Sequence, residues 1–438
     1  MTQNRSIQIG IAGLGTVGLG VYKHLCARRR ELGTAAGTPL VLARVAERDT
    51  AKAREIGVPE SKLMDDGIAL AGDPKIDILC ELMGGTGVAL KVTRKALQAG
   101  KTVVTANKAL LCKHGEELFA LAHKHHTRIF FEASVAGGIP VIKALREGLV
   151  VNHFPLIYGI LNGTCNYILT RMEREQQTFE AILGDARRLG YVEADESLDL
   201  DGWDTAHKAV IMAHLAHGKW ISLKEMAVEG IREVSLEDIQ WAQRLGYKIK
   251  LLALILRDFK KGHVFASVQP ALVPADMILG SVDGVFNAVS VTGDVVGETV
   301  YIGRGAGQDA TASAVIGDIV DAARAIANGV LPGEPMSHPE LELASPEDVY
   351  RSFYIRLSVK DRPGVLSEVA NILAAQKISI GSVLQHPNGK RGSANLVLTT
   401  HLCSEAAMAA AIHILKKDRS LMKKPFLLRI ADFAQRLG

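Results

Sequence analysis

The residues with the clearest chemical potential are carboxylates and a lysine between residues 190 and 208. Glu193, Asp199 and Asp204 precede Lys208, and the pattern from residue 204 onward predicts a helix. Asp204 and Lys208 are four residues apart and share one helix face, where they could form an ordinary salt bridge. Alternatively, the carboxylates could hold a substrate that carries an ammonium group while Lys208 acts as a general acid or base.

A glycine-rich turn near the start of the chain predicts a dinucleotide site. Residues 7–12 form a strand-like apolar run, and a helix-like stretch follows the turn. The turn consists of Gly13, Leu14, Gly15, Thr16, Val17 and Gly18. Glycines in this pattern permit a tight turn and a close backbone approach, while the start of the helix offers N–H groups to a pyrophosphate.

The end of the second strand-like run bears on the choice between NAD and NADP. A carboxylate there binds the ribose 2′-hydroxyl of NAD, whereas an arginine accommodates the 2′-phosphate of NADP. Arg44, Glu47 and Arg48 supply both chemistries, so the two cofactors remain alternatives, and any of these charges could merely solvate the strand end. Arg44 or Arg48 would favour NADP.

Lys108 is a second candidate for chemistry. It follows the strand-like run 102–105, and Gly85 and Thr86 follow the preceding run, 76–82. The carboxyl ends of strands in a doubly wound sheet meet at the edge where the ligand binds. Lys108 therefore either contacts cofactor or substrate, or is a solvated surface charge.

The alternation of strand-like and helix-like segments predicts an α/β fold. It indicates a Rossmann domain with a doubly wound parallel sheet over residues 1–140, to which a helix at 306–330 returns. A mixed pattern predicts a middle α/β domain for substrate binding and oligomerisation over 141–305. After a proline- and glutamate-containing linker, 331–349, residues 350–432 predict a βαββαβ unit.

Composition and charge exclude several classes of protein. The formal charge is only +4 and the basic residues are scattered, so nucleic acid is not an expected partner. A signal peptide and an apolar run of about eighteen residues are both lacking, and the five cysteines show no CxxC spacing. We therefore expect a cytoplasmic protein with reduced thiols and no membrane segment, in which the sequon at Asn162 is not glycosylated.

Six motifs, in this order and separation, resemble the homoserine dehydrogenase family over about the first 330 residues. They are GLGTVG, ANKALL, FEASVAGGIP, LNGTCNYILTRM, GYVEADES and DLDGWDTAHKAVIMA. The βαββαβ unit, with Asp361 to Gly364 between its first strand and helix, resembles an ACT domain, a regulatory module of amino-acid biosynthetic enzymes. Because no aspartate kinase domain precedes these motifs, the monofunctional form is expected.

The resemblance implies that the protein interconverts aspartate semialdehyde and homoserine with NAD(P). Lys208 would donate the proton, and Lys108 would lie between cofactor and substrate. The carboxylates that would bind homoserine are Glu193, Asp199 and Asp204.

The same resemblance implies further ligand contacts. Gly190 and Gly307 would contact the cofactor. A monovalent cation, usually sodium, would be bound through Glu132 and the backbone carbonyls of Val135, Gly137 and Ile139. Threonine would bind to the ACT domain near Asp361 and Gly364, between paired copies, which implies a homodimer or homotetramer.

Two other functions remain as alternatives. Cys165 could serve as the thiol nucleophile of a semialdehyde dehydrogenase, although a cysteine that only packs in the core is the simpler interpretation. A catalytically silent amino-acid sensor could also retain the Rossmann and ACT folds. Such a protein would have no reason to keep Lys108, Glu193, Asp204 and Lys208 together.

Overall fold

A computed structural model describes residues 5–188, 196–330, 338, 340–387 and 392–431. These residues form two compact units, which are described separately. The first unit contains the described residues within 1–154, 207–225 and 286–339. The second contains those within 155–206, 226–285 and 340–438.

In the described part of the chain, the elements are as follows. The strands are β1 (Ile7–Ala12), β2 (Leu40–Ala46), β3 (Leu63–Met64), β4 (Ile78–Glu81), β5 (Thr102–Thr105), β6 (Ile129–Phe130), β7 (Leu156–Ile160), β8 (Ala227–Val228), β9 (Tyr247–Asp258), β10 (His263–Pro274), β11 (Phe286–Gly293), β12 (Gly297–Arg304), β13 (Glu342–Leu343), β14 (Tyr350–Lys360), β15 (Ile380–Pro387), β16 (Ser393–Thr400), β17 (Cys403–Ser404) and β18 (Phe426–Ile430). The helices are α1 (Thr16–Ala27), α2 (Arg29–Ala36), α3 (Thr50–Glu55), α4 (Gly67–Gly72), α5 (Val88–Gln98), α6 (Lys108–Lys124), α7 (Val141–Lys143), α8 (Gly163–Glu175), α9 (Phe179–Arg188), α10 (Ser197–Leu200), α11 (Trp203–His217), α12 (Leu236–Arg244), α13 (Gln308–Asn328), α14 (Val365–Ala375) and α15 (Glu405–Leu415).

The first unit is built on a six-stranded parallel sheet in the order β3-β2-β1-β4-β5-β6. The chain moves outward from β1 to β3 on one side and from β4 to β6 on the other, so the strand order reverses between β1 and β4. The predicted doubly wound Rossmann sheet is confirmed. Ligands of such sheets bind at the carboxyl ends of the strands beside this reversal.

Helix α13 closes the core of the first unit. Its residues Ala312, Val315 and Ile319 are buried together with Ile9 and Ile11 of β1. Close packing against α1 explains a glycine there, because a Cβ on Gly20 would lie 2.9 Å from the Cβ of Ala312. The unit also contains the antiparallel hairpin β11-β12.

The second unit contains one sheet in the order β7-β9-β10-β18-β14-β16-β15. Its C-terminal part runs β14-α14-β15-β16-α15-β18, with β14 between β16 and β18. The predicted βαββαβ unit is confirmed. The join to the rest of the sheet is the parallel pairing of β18 with β10, which covers Arg429 opposite Ala271 and Ile430 opposite Leu272.

A buried ion pair reinforces this join. The Arg356 guanidinium donates to both carboxylate oxygens of Asp238, with Nε–Oδ1 and Nη2–Oδ2 distances of 2.6 and 3.0 Å. The Tyr354 hydroxyl donates to the same carboxylate at 3.2 Å, and the Asp238 side chain is fully buried. The βαββαβ unit is therefore packed against α12 and not merely tethered by its linker.

Among the described helices, none combines the length and apolar character that crossing a bilayer requires.

Candidate functional site

The glycine-rich turn has the geometry of a dinucleotide cradle. Gly13 adopts a φ of +97°, and a Cβ there would lie 2.8 Å from the carbonyl oxygen of Leu82. A Cβ on Gly18 would lie 2.0 Å from the carbonyl oxygen of Gly13, so these two positions require glycine. Helix α1 begins directly after Gly15 without a side-chain cap. Its first N–H groups can therefore receive a pyrophosphate, and the turn fits the predicted cofactor.

The charged residues after β2 occupy different surroundings. The Glu47 carboxylate accepts a 2.7 Å hydrogen bond from the backbone N–H of Leu14, which ties the strand end to the glycine-rich turn. Arg48 is exposed beside it. The Arg44 guanidinium instead donates to the carbonyl oxygen of Ser61 and lines a pocket with Gln8, near the amino ends of β1 and β4. The structure thus brings Glu47 to the turn, with exposed Arg48 next to it in the chain, and leaves Arg44 apart from the turn.

Lys108 lies at the carboxyl edge of the sheet, as the first residue of α6. The preceding Asn107 caps this helix by accepting from the N–H of Leu110, and its amide donates to the carbonyl oxygen of Gly85 at 2.7 Å. Gly84 and Gly85 both adopt positive φ, which lets the chain turn sharply before Thr86. The two loops that carry these predicted residues are therefore joined by Asn107.

A buried carboxylate that the sequence analysis missed organises this edge. Glu81, at the end of β4, accepts hydrogen bonds from the Thr105 hydroxyl at 2.8 Å and from the Met83 N–H at 3.0 Å. Burial raises the pKa of Glu81, and these hydrogen bonds oppose the rise. Thr105 in turn accepts from the N–H of Asn107. The sequence feature that could have indicated Glu81 is a carboxylate at the end of an otherwise apolar strand.

Helix α11 carries Asp204 and Lys208 one turn apart, and both side chains are only 8% exposed.

In the second unit, Asn162 joins two of the predicted carboxylates. Its amide nitrogen donates to Asp199 Oδ1 at 2.7 Å and to Asp204 Oδ2 at 3.0 Å. The sequence analysis considered Asn162 only as a sequon and missed this role; the structure shows that it also caps α8. Glu193 and Gly190 lie outside the described residues.

Cys165 is fully buried near these carboxylates. Its thiol donates to the carbonyl oxygen of Asp199 at 3.2 Å, and its N–H donates to Asn162 Oδ1 at 2.8 Å. A thiol in this position supports the loop around Asp199 and is shielded from solvent.

The segment predicted to bind a cation, residues 132–139, packs on residues 303–307 within the first unit. Gly137 has a φ of +49°, and a Cβ there would lie 2.4 Å from the carbonyl oxygen of Gly305. Gly307, which immediately precedes α13, has a φ of +117°. Val135 and Ile139 are buried, and the Ile139 carbonyl oxygen accepts from the Val141 N–H.

The Glu132 carboxylate is held by backbone N–H groups. Its two carboxylate oxygens accept from the backbone N–H groups of Ile142 and Lys143 at 2.9 and 2.8 Å. Burial raises the pKa of this carboxyl to about 7. Cation binding through Glu132 and the backbone carbonyl oxygens of Val135, Gly137 and Ile139 stays a prediction from the resemblance.

A cavity of about 420 Å3 lies at the predicted effector site of the βαββαβ unit. Its lining includes Lys360, Asp361, Arg362, Gly364, Gln385 and Leu396. Gly364 has a φ of +92° and immediately precedes α14, so the first N–H groups of that helix face the turn. The cavity is large enough for a small amino acid.

The fold and these residues define a dinucleotide-dependent oxidoreductase with buried lysine and carboxylate side chains and a C-terminal βαββαβ unit. Comparisons with known proteins agree. The chain matches the family models "Homoserine dehydrogenase, NAD binding domain" over residues 13–132, "Homoserine dehydrogenase" over 140–320 and "ACT domain" over 353–419.

Individual proteins are similar along most or nearly all of the chain. A homoserine dehydrogenase of Neisseria gonorrhoeae is 40% identical over 93% of this chain and 94% of its own length. The crystal structure of a homoserine dehydrogenase from Thiobacillus denitrificans has a TM-score of 0.89 and 38% identity, covering 98% of this chain and 99% of that one. A hyperthermophilic archaeal homoserine dehydrogenase in complex with NADPH has a TM-score of 0.63 and 28% identity, covering 73% and 98%.

This chain therefore belongs to the homoserine dehydrogenase family. The resemblance stated from its motifs is confirmed, including the NAD(P)-binding domain and the C-terminal ACT domain.

Proposed function

We propose that this protein reduces L-aspartate 4-semialdehyde to L-homoserine with NADPH or NADH, in the synthesis of threonine, methionine and isoleucine. The observation that carries this proposal is the burial of Asp204 and Lys208, one helical turn apart on α11. A surface salt bridge would leave both side chains largely exposed. Charged side chains are rarely buried without a specific partner or a function, so their 8% exposure favours the chemical interpretation.

Each residue has a role in this proposal. The cofactor, held by the glycine-rich turn, supplies the hydride. Lys208 protonates the alkoxide that develops from the aldehyde oxygen, and Lys108 positions or polarises that oxygen. The carboxylates of Glu193, Asp199 and Asp204 hold the substrate ammonium group.

The rival thiol mechanism is disfavoured by the surroundings of Cys165. A nucleophilic cysteine needs an accessible thiolate and a nearby base or positive charge. Cys165 is fully buried, and its thiol donates to a backbone carbonyl oxygen.

One assay separates the candidate functions. Cofactor absorbance is followed with homoserine, with semialdehyde alone, and with semialdehyde plus phosphate, each with NAD(H) and NADP(H). We expect turnover with homoserine and NAD(P)+, and with semialdehyde and NAD(P)H, both without phosphate. Turnover that requires phosphate would support the semialdehyde dehydrogenase, and no turnover with any combination would support the silent sensor.

The amine-binding role of the carboxylates has its own test. Asp204→Asn and Glu193→Gln should each raise the KM for homoserine about tenfold or more, while the Kd for the cofactor stays unchanged. An effect limited to cofactor affinity would show that these residues are wrongly assigned.

We further propose that threonine inhibits the enzyme through the ACT domain. The support is the cavity beside Asp361 and Gly364, where N–H groups at the start of α14 could receive a carboxylate and Asp361 an ammonium group. Because ACT domains bind effectors between paired copies, this proposal includes a homodimer or homotetramer. Sedimentation of the full chain measures that state.

The inhibition is best tested with the full chain. Cutting near Pro332 would remove β18 from its pairing with β10 and leave the buried Asp238 without Arg356. Asp361→Asn should instead retain catalysis and raise the threonine inhibition constant about tenfold, a loss of about 1.4 kcal/mol in threonine binding. Absence of threonine binding by calorimetry, with unchanged kinetics at saturating threonine, would show that the domain only stabilises the oligomer.

Sodium dependence remains a prediction from the resemblance. If carbonyl oxygens in residues 132–139 bind a monovalent cation, activity should differ when sodium chloride is replaced by a bulky organic cation at equal ionic strength. Equal activity in both salts would reject the cation.

A further inference from the structure

Asn162 carries polar contacts that no part of the proposed mechanism explains. We propose that Asn162 is a positioning residue, which holds Asp199 and Asp204 as a fixed pair of carboxylates facing the substrate ammonium group. This inference rests on the proposed function, because the ammonium group belongs to homoserine.

The contacts use most of the hydrogen-bonding capacity of one amide. The Asn162 nitrogen donates to Asp199 Oδ1 at 2.7 Å and to Asp204 Oδ2 at 3.0 Å, while its Oδ1 accepts from the N–H of Cys165 at 2.8 Å. The side chain is 4% exposed, so little water is available to replace these bonds. Asn162 therefore fixes the two carboxylates and caps α8 at the same time.

The charges explain why an amide suits this position. Asp199 and Asp204 lie 37 and 42 residues after Asn162, and each brings a carboxylate oxygen within 3.0 Å of the Asn162 side-chain nitrogen. Two carboxylates this close repel each other unless hydrogen-bond donors or a cation stabilise them. The two amide hydrogens provide one donor for each carboxylate. The Asn162 amide is neutral, so it stabilises the two carboxylates without cancelling their charge. The ammonium group of a bound substrate would supply the positive charge.

The simpler alternative is that Asn162 is only a helix cap. Asn, Asp and Ser cap helices about equally well, since each offers an oxygen to a backbone N–H. Only Asn also provides two donors that reach outward. Substitutions that keep the cap and remove the donors therefore separate the two roles.

The principal test is Asn162→Ser in the full chain. The serine hydroxyl can cap α8, but it is too short to reach both carboxylates. We expect the melting temperature to stay near that of the wild type, the KM for homoserine to rise about ten- to hundredfold, and kcat to change less. The Kd for NAD(P) should not change.

Asn162→Asp provides a second, independent measurement. It keeps the cap and places a third carboxyl group against Asp199 and Asp204. Like charges disfavour ionisation, so the acidic limb of the kcat/KM profile for homoserine should move to higher pH. A residue that acted only as a cap would leave this limb in place.

A matched control is Asp66→Asn, which exchanges the same two residue types at the N-cap of α4. The Asp66 side chain accepts from the N–H of Ile68 at 2.7 Å and has no part in the carboxylate pair. Its homoserine kinetics should match the wild type.

An unchanged KM in Asn162→Ser together with an unmoved acidic limb in Asn162→Asp would overturn the positioning role while the wild type still turned over homoserine. Failure of the wild type to oxidise homoserine would instead reject the proposed function and this inference with it.

Discussion

The stability of the first unit should depend on pH because of His214. Replacing His214 by phenylalanine should remove that dependence. The His214 side chain lies on α11 and is 4% exposed, and its ring stacks on Trp220 with centroids 4.0 Å apart and planes 13° apart. Neither ring nitrogen has a hydrogen-bond partner in the part of the chain that the structure describes. Burial lowers the pKa of His214 from 6.5 to about 4.

The sign and size of the effect follow from proton binding. In the unfolded chain His214 takes up a proton as pH falls below 6.5, whereas the folded protein resists protonation until about pH 4. The stability present above pH 6.5 is therefore lost as pH falls through this window. Each pH unit is worth about 1.4 kcal/mol, so moving from neutral pH to pH 5 should cost about 2 kcal/mol.

His214→Phe keeps an aromatic ring against Trp220 and cannot be protonated. The free energy of unfolding is measured by urea denaturation with tryptophan fluorescence at fixed protein concentration. The value for the variant minus the value for the wild type should be larger at pH 5 than at pH 7.5. The expected widening is about 2 kcal/mol, and comparing the two pH values cancels any constant packing difference. Exposed His413, changed to Gln, is the control and should show no widening. A stability difference that is the same at both pH values would refute the reasoning.

Three further predictions concern catalysis and the ACT domain. Lys208→Ala should lower kcat by about 10²–10⁴-fold with cofactor binding nearly intact, and near-normal turnover would contradict its role as general acid. Cys165→Ser should keep comparable activity because a hydroxyl can also donate to the Asp199 carbonyl oxygen, whereas a folded but inactive variant would revive the thiol mechanism. Arg356→Met leaves the fully buried Asp238 carboxylate without its ion pair and should lower the free energy of unfolding by about 3–5 kcal/mol, measured by urea unfolding; an unchanged value would mean that this pair does not hold the ACT domain in place.

The sequence by itself was sufficient wherever the determining physics is local. The glycine pattern of residues 13–18 indicated the cofactor turn because a positive φ at Gly13 and the close approach at Gly18 depend on a few neighbouring residues. The four-residue spacing of Asp204 and Lys208 placed them on one helix face for the same reason. Alternating strand and helix patterns likewise predicted the parallel sheet and the βαββαβ unit.

The tertiary structure alone decided which side chains meet across long stretches of chain. Asn162 contacts carboxylates 37 and 42 residues away, and Glu81 contacts Thr105 24 residues away. No periodicity encodes such distances, because they depend on how separate elements pack. The same holds for Arg356 and Asp238, 118 residues apart, whose pairing holds the ACT domain against α12. Local patterns fix which elements form, whereas burial and pairing in the packed chain fix which polar groups become partners.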